Sequence, residues 1–189
     1  MTATLMMSST LMFSQPFKKG DHAINVGIGF GNTAYFGSYY SGFIPSVSAS
    51  WEMGIVEVPM GAELTGVVSV GAYTGWSASR YSYSYWGNDN YYTGSSFIFA
   101  ARGNYHFIFH DKLDTYAGVW AGARIETWKW RGDVNLPADA TLSSDVDPVG
   151  GVYVGARWFF KENLAAYAEL GYLISVFNIG VTFKLEGTD

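Results

Sequence analysis

The sequence contains no cysteine. Disulfide bonds and thiolate-bound metal ions both require cysteine side chains, so neither can hold this fold together. The 189 residues suffice for one domain with a full core and are too few for two of ordinary size. The chain must therefore fold as one unit through its own packing.

Charge is scarce as well. Asp, Glu, Lys and Arg make up 14% of the chain, whereas an ordinary soluble domain has about 25%. The formal net charge of −5 gives no support for nucleic-acid binding. Hydrophobic residues reach 49% and aromatic residues 18%, so we expect a folded surface that is poor in charge.

Long apolar runs are the third absence. No stretch of about 18 consecutive apolar residues occurs, which excludes an ordinary transmembrane helix. The mean hydropathy is +0.08. A transmembrane β-barrel is compatible with that value, because the polar residues that face its lumen dilute the apolar residues that face lipid.

The sequence does contain alternation with a period of two, which is clearest in the last hairpin, Leu164 to Leu185. Its return strand alternates large apolar residues with small or polar ones, namely Phe177, Ile179, Val181, Phe183 and Leu185 against Asn178, Gly180, Thr182 and Lys184. Such alternation places the two sets on opposite faces of a sheet. An interior that carries Glu169 and Lys184 under an apolar exterior suits a barrel whose solvent is lipid.

The same alternation predicts eight strands, over residues 23–30, 43–54, 62–76, 96–107, 115–128, 151–160, 164–172 and 177–185. Among the connections, 56–61 and 111–114 are predicted turns, 131–148 is the longest predicted loop, and 80–94 is either a loop or a hairpin extended beyond the membrane. Long polar connections alternate with short turns, as in outer-membrane barrels. The predicted fold is all-β: an eight-stranded antiparallel up-and-down transmembrane β-barrel with both termini on the periplasmic side.

The start of the chain differs from the rest. Residues 1–14 are apolar and rich in small residues, which is typical of the hydrophobic region of a secretory signal peptide. The basic segment that normally precedes such a region is missing, so we expect a truncated or misassigned start. Cleavage near Ser14 would leave residues 15–189 as a single outer-membrane barrel. The alternative is a short buried segment of the mature fold.

The alternating strands over 23–185 resemble the small eight-stranded outer-membrane β-barrel superfamily, the OmpA/OmpX-like outer membrane protein beta-barrel domain. In its last strand that superfamily has a glycine, an aromatic residue three positions on and a hydrophobic residue two further, and Gly180, Phe183 and Leu185 fill this pattern. The resemblance implies a bacterial cell outer membrane location, reached with the help of periplasmic chaperones and the barrel-assembly machinery. The chain departs from the pattern by ending the strand on Leu and by continuing through Glu186 to Asp189.

Ionisable residues on the inward-facing phase predict a charge network inside the barrel. Its members are Glu52, Glu63, Arg102, Arg124, Glu126, Arg157, Glu169 and Lys184, which are four acids and four bases. Unpaired charges in a confined interior cost several kcal/mol each, so a balanced set is expected. The network is interpreted as a polar plug, because side chains can just fill an eight-stranded barrel. The alternative is a narrow gated conduit that opens when a pair such as Arg102–Glu169 re-partners.

An aromatic-rich segment lies near one predicted barrel end. Its candidate contact residues for a surface ligand are Tyr81, Tyr83, Tyr85, Trp86, Tyr91 and Tyr92. Aromatic side chains interleaved with Asn and Gly are typical of adaptable recognition surfaces. The alternative is an extended hairpin that continues the aromatic girdle of the membrane boundary.

No catalytic, cofactor-binding or metal site is predicted. The three histidines, His22, His106 and His110, lie toward the periplasmic end, and none has an obvious Ser and acid at the extracellular rim. Their spacing does not define a metal site, and no phosphate-loop or dinucleotide-binding motif occurs. We therefore predict a protein that is not an enzyme and carries no cofactor.

The predicted function is that of an integral outer-membrane barrel, monomeric and embedded in outer-membrane lipid, with a structural or adhesion-like surface-interaction role. Its surface ligand is unidentified, and nucleic acid is not expected as a partner. One alternative is a narrow porin-like pore for small or apolar solutes. A second is a soluble lipocalin-like carrier, in which the alternation would be inverted and the apolar residues would line the interior.

Overall fold

Eight strands close into an antiparallel barrel in the computed structural model of the chain, each paired with its neighbours in sequence, and β1 pairs with β8. They are β1 His22–Asn32, β2 Tyr40–Pro59, β3 Thr65–Tyr85, β4 Asn88–His110, β5 Leu113–Arg131, β6 Leu142–Lys161, β7 Leu164–Gly171 and β8 Ser175–Leu185. The structure describes residues 16–33, 40–59, 65–85, 88–131 and 142–187, with backbone alone for 40–43, 81–85, 88–92, 131 and 142–143. The all-β barrel predicted from the alternation is confirmed.

The two faces of the sheet follow the predicted phase. On β8, Asn178, Thr182 and Lys184 are buried in the lumen, while Phe183 and Leu185 are exposed. Other large apolar residues exposed on the outside include Ile24, Val26, Val47, Phe97, Phe99, Val119, Val152, Val154, Phe160 and Leu170. The interior is therefore the polar side of the sheet, and the exterior is the apolar side.

Two predicted loops turn out to be strand. β3 runs to Tyr85, β4 starts at Asn88 and the two strands pair, so the described residues of segment 80–94 form an extended hairpin, one of the two predicted alternatives. β5 ends at Arg131 and β6 starts at Leu142, so the loop predicted over 131–148 is wrong at residue 131 and from residue 142 onward. The physical reason is that the backbone hydrogen bonds between two strands do not require alternating apolar and polar side chains. The polar start of β6 is held by its pairing with β5.

Two predicted turns are also shorter than expected. β2 continues to Pro59, which pairs with Thr65, so the turn predicted over 56–61 is wrong for residues 56–59. A register shift between Gly54 and Val56 interrupts the alternation there, which conceals the strand in the sequence. At the 111–114 turn, β5 already starts at Leu113.

Five strands continue past one end of the closed barrel. β1 leaves β2 after the pair Gly29 and Ser46, but β2 stays paired with β3 out to Tyr40. On the other side, the last pair of β6 with β7 is Tyr153 and Gly171, while β6 stays paired with β5 out to Leu142. Strands β2 to β6 therefore form an open sheet above the barrel. We call this end the outer end and the end near both termini the inner end.

A hook of residues 16–21 precedes β1 at the inner end. Gly20 has φ of 86°, a left-handed conformation that glycine adopts without a steric penalty. Its N–H donates to the Gly54 carbonyl at 2.9 Å, and the Gly54 N–H donates to the Asp21 carbonyl at 3.0 Å. These bonds turn the chain back across the barrel mouth. None of the described segments forms a helix long and apolar enough to span a membrane.

Candidate functional site

The middle of the lumen holds a ring of five buried polar residues, each from a different strand, β2 to β6. Arg157 donates from Nη1 to Asp114 Oδ2 at 2.9 Å and forms an ion pair with Glu52. The Ser69 hydroxyl donates to Glu52 Oε2 at 2.8 Å, and His106 Nδ1 lies 2.8 Å from Asp114 Oδ1. A contact of 3.0 Å between Ser69 Oγ and His106 Nε2 completes the ring.

The order Ser69, His106, Asp114 matches the order of groups in a hydrolase triad. The surroundings differ, because the Ser69 hydroxyl has one proton and donates it to Glu52. Ser69, His106 and Asp114 are also fully buried, so a substrate cannot reach the hydroxyl in this structure. The arrangement links five strands across the lumen.

A second ion pair lies one layer further toward the outer end. Arg102 Nη2 donates to Glu169 Oε1 at 2.7 Å and Nη1 donates to the Ser50 hydroxyl at 2.9 Å. Glu169 also accepts from the Tyr116 hydroxyl at 2.8 Å. The Arg102 guanidinium lies 4.6 Å from the centroid of the Tyr153 ring, within the range of a cation–π contact. The structure thus brings together two residues of the predicted network that are 67 positions apart in sequence.

The other predicted network residues have looser contacts. Arg124 lies 4.0 Å from Glu126 and donates to the Thr33 hydroxyl at 3.3 Å. Lys184 Nζ lies 4.0 Å from an oxygen of Asp21. Glu63 is outside the described residues.

An apolar layer closes the lumen at the outer end of the network. The short connection between β7 and β8 folds inward, and its Leu173 and Ile174 are fully buried. They pack with Tyr73, Ile98, Tyr116, Trp120 and Tyr153. Both sides of the connection are tied to the wall: Trp120 Nε1 donates to the Tyr172 carbonyl at 2.6 Å, and the Thr33 N–H donates to the Ile174 carbonyl at 3.2 Å.

A smaller apolar layer closes the inner end. Phe17 of the hook is fully buried with Ala23 and Val67, and Ile108 packs against them. Its ring centroid lies 4.5 Å from that of His106, and the Arg157 guanidinium lies 5.8 Å from its centre. The polar network is therefore enclosed between two apolar layers.

Sequence reasoning missed several residues of the lumen, among them Leu173 and Ile174 of the connection between β7 and β8. Asp114 was assigned to a turn, yet it continues the inward phase of Tyr116 and Trp120, and extending that phase by one step would have found it. Asp21 is buried beside Lys184, and Phe17 fills the inner mouth. Both precede the first strand, where strand periodicity carries no information.

The predicted surface-contact residues are only partly described. The backbones of Tyr81, Tyr83 and Tyr85 lie on β3, and those of Tyr91 and Tyr92 lie on β4. Tyr81 pairs with Tyr92 across the extended hairpin. Trp86 is outside the described residues, as is the predicted signal segment 1–14.

The three residues of the predicted assembly pattern lie on both faces of β8. Phe183 and Leu185 are exposed on the outside. Gly180 faces the lumen opposite Gly27 of β1, and the Tyr167 ring covers both glycines. The tail that departs from the pattern packs on the hook, because the Gly187 N–H donates to Asp21 Oδ1 at 3.3 Å.

Metal binding has no candidate in the described part of the chain, where His, Asp and Glu nowhere group in threes with a geometry fit to hold an ion.

Comparison with known proteins gives a structural likeness alone. No family model matches the chain, and no curated protein matches it. Two solved structures of Ail, the attachment invasion locus protein of Yersinia pestis, are similar, each with a TM-score of 0.49 over 88% of this chain and 99% of that chain. Their identities are 10% and 9%, and the second is a complex with the heparin analogue sucrose octasulfate. The fold assignment rests on the strand pairing of this chain.

Proposed function

We propose that this protein is an integral barrel of the bacterial outer membrane, with a closed lumen and a surface-interaction role at its outer end. One observation supports membrane insertion above all others: the barrel is apolar outside and charged inside. On β6, Val152 and Phe160 are 67% and 53% exposed, while Arg157 between them is 0% exposed. The same reversal recurs on β2, where Trp51 is exposed and Glu52 is buried.

This reversal is unfavourable in water and favourable in lipid. Apolar patches on soluble monomers rarely exceed a few hundred Å², whereas here exposed Val, Ile, Leu and Phe side chains occur on strands throughout the barrel wall. In a bilayer those side chains meet acyl chains, and every backbone group between strands is paired within the closed barrel. The soluble carrier alternative needs an apolar interior, which is opposite to the observed phase.

The successive layers of side chains in the lumen favour a plugged barrel rather than a pore. Ions or solutes crossing the barrel would have to pass the outer apolar layer, the two ion-paired layers and Phe17 in turn. An eight-stranded barrel leaves room for side chains and little else. We therefore assign the polar interior a structural role, and the narrow-pore alternative predicts the opposite behaviour in a bilayer.

The surface-interaction role is supported by the open sheet. β3 and β4 are 21 and 23 residues long, whereas β7 has 8. A membrane crossing needs about 9–11 tilted residues, so the long strands carry residues beyond the bilayer. The extended hairpin presents the Tyr-rich segment at this end.

The free edge of the open sheet is protected in a way that supports a monomer. At the start of β6, which pairs with β5 alone among the described strands, the Asp145 carboxylate accepts the Val146 N–H at 2.8 Å. Pro148, two residues on, has no N–H to offer. A charged side chain and a proline both discourage edge-to-edge pairing.

Bilayer recordings test the closed barrel. The protein is refolded in detergent, its folded state is verified by a compact gel band that shifts only on boiling, and it is then inserted into planar bilayers. We expect no stepwise conductance after insertion. Discrete openings from verified folded protein would favour the narrow pore.

Excision of the hairpin tip tests the surface role. Residues 82–91 are replaced by Asn-Gly, a two-residue turn suited to a hairpin. Bacteria displaying the parent or the shortened protein are compared for retention on plastic coated with extracellular matrix and on uncoated plastic. We expect retention to fall with the shortened protein while its folded gel band persists; equal retention of the two proteins on both surfaces would count against adhesion through this hairpin.

A further inference from the structure

We propose that the hook, residues 16–21, is a releasable stopper, and that Phe17 leaving its site opens the lumen from the inner end alone. The inner end of the barrel meets the periplasm if the proposed function holds, and that orientation is the one part of the inference that depends on it. The stopper itself follows from the contacts of Phe17 and from the contrast between the two apolar layers.

Phe17 occupies a site built for an aromatic ring. Its ring stacks at a tilt of 31° on His106, with the Arg157 guanidinium 5.8 Å away and apolar walls from Ala23, Val67 and Ile108. His106 and Arg157 are members of the polar ring, so Phe17 is the apolar cover of that ring. Its removal would expose the ring to the inner mouth.

The hook is fixed at its base, beyond Phe17. Asp21 accepts the Lys18 N–H at 3.1 Å and the Gly187 N–H at 3.3 Å, and the Gly20 and Gly54 backbones are bonded to their partners. These bonds tie residues 18–21 to β2 and to the tail after β8. Phe17 lies on the far side of this anchor, so the ring can swing out while the anchor stays in place.

The outer layer is built differently. Leu173 and Ile174 belong to a three-residue connection that is held by strands on both sides, and five large side chains pack on them. Moving that connection would break the Trp120 and Thr33 hydrogen bonds as well. The inner closure has one large ring, that of Phe17, and the described hydrogen bonds of its segment lie at residues 18–21. Full burial of a phenylalanine favours the buried state over the released state by about a hundredfold. A minor population with Phe17 released is therefore expected at the inner end.

The absence of cysteine in the natural chain allows a direct test by thiol labelling. Val67→Cys places a single thiol beneath Phe17, at a fully buried position. Ser96→Cys places one on the other side of the outer layer, also fully buried, as the matched control. Each is combined with Phe17 or Phe17→Gly, folded in detergent, checked by the boiling-dependent gel shift and treated with a methanethiosulfonate reagent.

We expect Phe17→Gly to speed labelling of Val67→Cys by about a hundredfold and to leave Ser96→Cys unchanged. Asp21→Asn, which loosens the anchor but keeps the ring, should speed labelling of Val67→Cys by a smaller factor, and it supplies the test if Phe17→Gly does not fold. An unchanged rate at Val67→Cys in these variants would overturn the stopper, as would fast labelling in the parent. An equal rise at Ser96→Cys would overturn the claim that only the inner end opens. Labelling in detergent does not depend on membrane orientation. A result that overturns the stopper therefore leaves the proposed membrane role standing, and failure of the membrane role leaves the stopper standing.

Discussion

At the scale of single residues, the interior depends on which charges find partners. Arg102 is 3% exposed and is held by Glu169, Ser50 and the Tyr153 ring. A buried ion pair contributes little net stability, but removal of one partner leaves the other charge buried and uncompensated. The loss of Arg102 should therefore destabilise the barrel strongly.

Arg102→Met removes the charge and keeps much of the side-chain volume. We predict a loss of about 3–5 kcal/mol in the free energy of unfolding, because the buried Glu169 then loses the cation that pairs with it. The measurement is denaturant unfolding in detergent micelles, followed by the folded gel band. Lys161→Met, which removes an exposed charge from β6, is the control and should cost little. Equal stability of the Arg102 variant and the parent would contradict the role given to the ion pair.

Arg124 is predicted to matter less. Its contacts, 4.0 Å to Glu126 and 3.3 Å to the Thr33 hydroxyl, are long, and both partners lie at the outer end of the lumen. Arg124→Met should therefore cost about 1 kcal/mol, the scale of one ordinary hydrogen bond or exposed pair. The same unfolding assay measures it. A loss as large as that of Arg102→Met would mean that the ranking by contact distance is wrong.

The sequence predicted which residues face the lumen but could not predict all of their partners. Arg102 and Glu169 sit on β4 and β7, which are not neighbours, and their contact depends on how the strands are staggered around the barrel. Alternation along a strand defines which face of the sheet a residue lies on, but it contains no information about how neighbouring strands are staggered. The sequence did not predict Asp114 as a lumen residue for another reason, since a strand end and a turn have similar amino-acid compositions.

At the scale of elements, small residues permit the barrel to close. Gly27 of β1 and Gly180 of β8 are paired at the closing seam, and the Tyr167 ring of β7 lies over both. A Cβ added to Gly27 would collide with the Tyr167 hydroxyl and the Ile179 carbonyl. This packing explains why the last strand has glycine at position 180 without reference to any assembly factor.

Gly27→Ala should therefore destabilise the closed barrel by about 1–3 kcal/mol, because both the Tyr167 ring and the Ile179 backbone must shift. Gly103→Ala makes the same chemical change on β4, where the nearest atom to the new Cβ is 3.8 Å away, and it should be tolerated. Refolding yield and unfolding midpoint of the two variants are compared in one detergent. The prediction fails if the two alanines behave alike.

Strand number and phase were predictable for a physical reason, and strand length was not. Where a barrel wall faces lipid its outward residues are mostly apolar, so alternation marks those segments clearly. Beyond the bilayer both faces of a strand meet water, and polar residues such as those of β6 from Leu142 to Val149 satisfy the ladder as well as apolar ones. The hook was unpredictable too, because its structure comes from a glycine turn and one buried ring.

At the scale of the whole molecule, the described strands form a closed barrel with its polarity reversed relative to a soluble protein. Its polar layers are enclosed by Leu173 and Ile174 at one end and by Phe17 at the other. The long strands β2 to β6 extend past the sealed part and carry the surface that other molecules can reach. Under the proposed function, the bilayer is the solvent that makes this arrangement stable.

The most direct test of that reversal is quenching of tryptophan fluorescence by bilayers whose acyl chains are brominated. Two variants are compared, one retaining only Trp158, which is 52% exposed on the outer wall, and one retaining only Trp120, which is 3% exposed in the lumen. We predict strong quenching of Trp158 and weak quenching of Trp120. Quenching of neither, with the protein remaining in solution when the vesicles are pelleted, would contradict the reversed barrel.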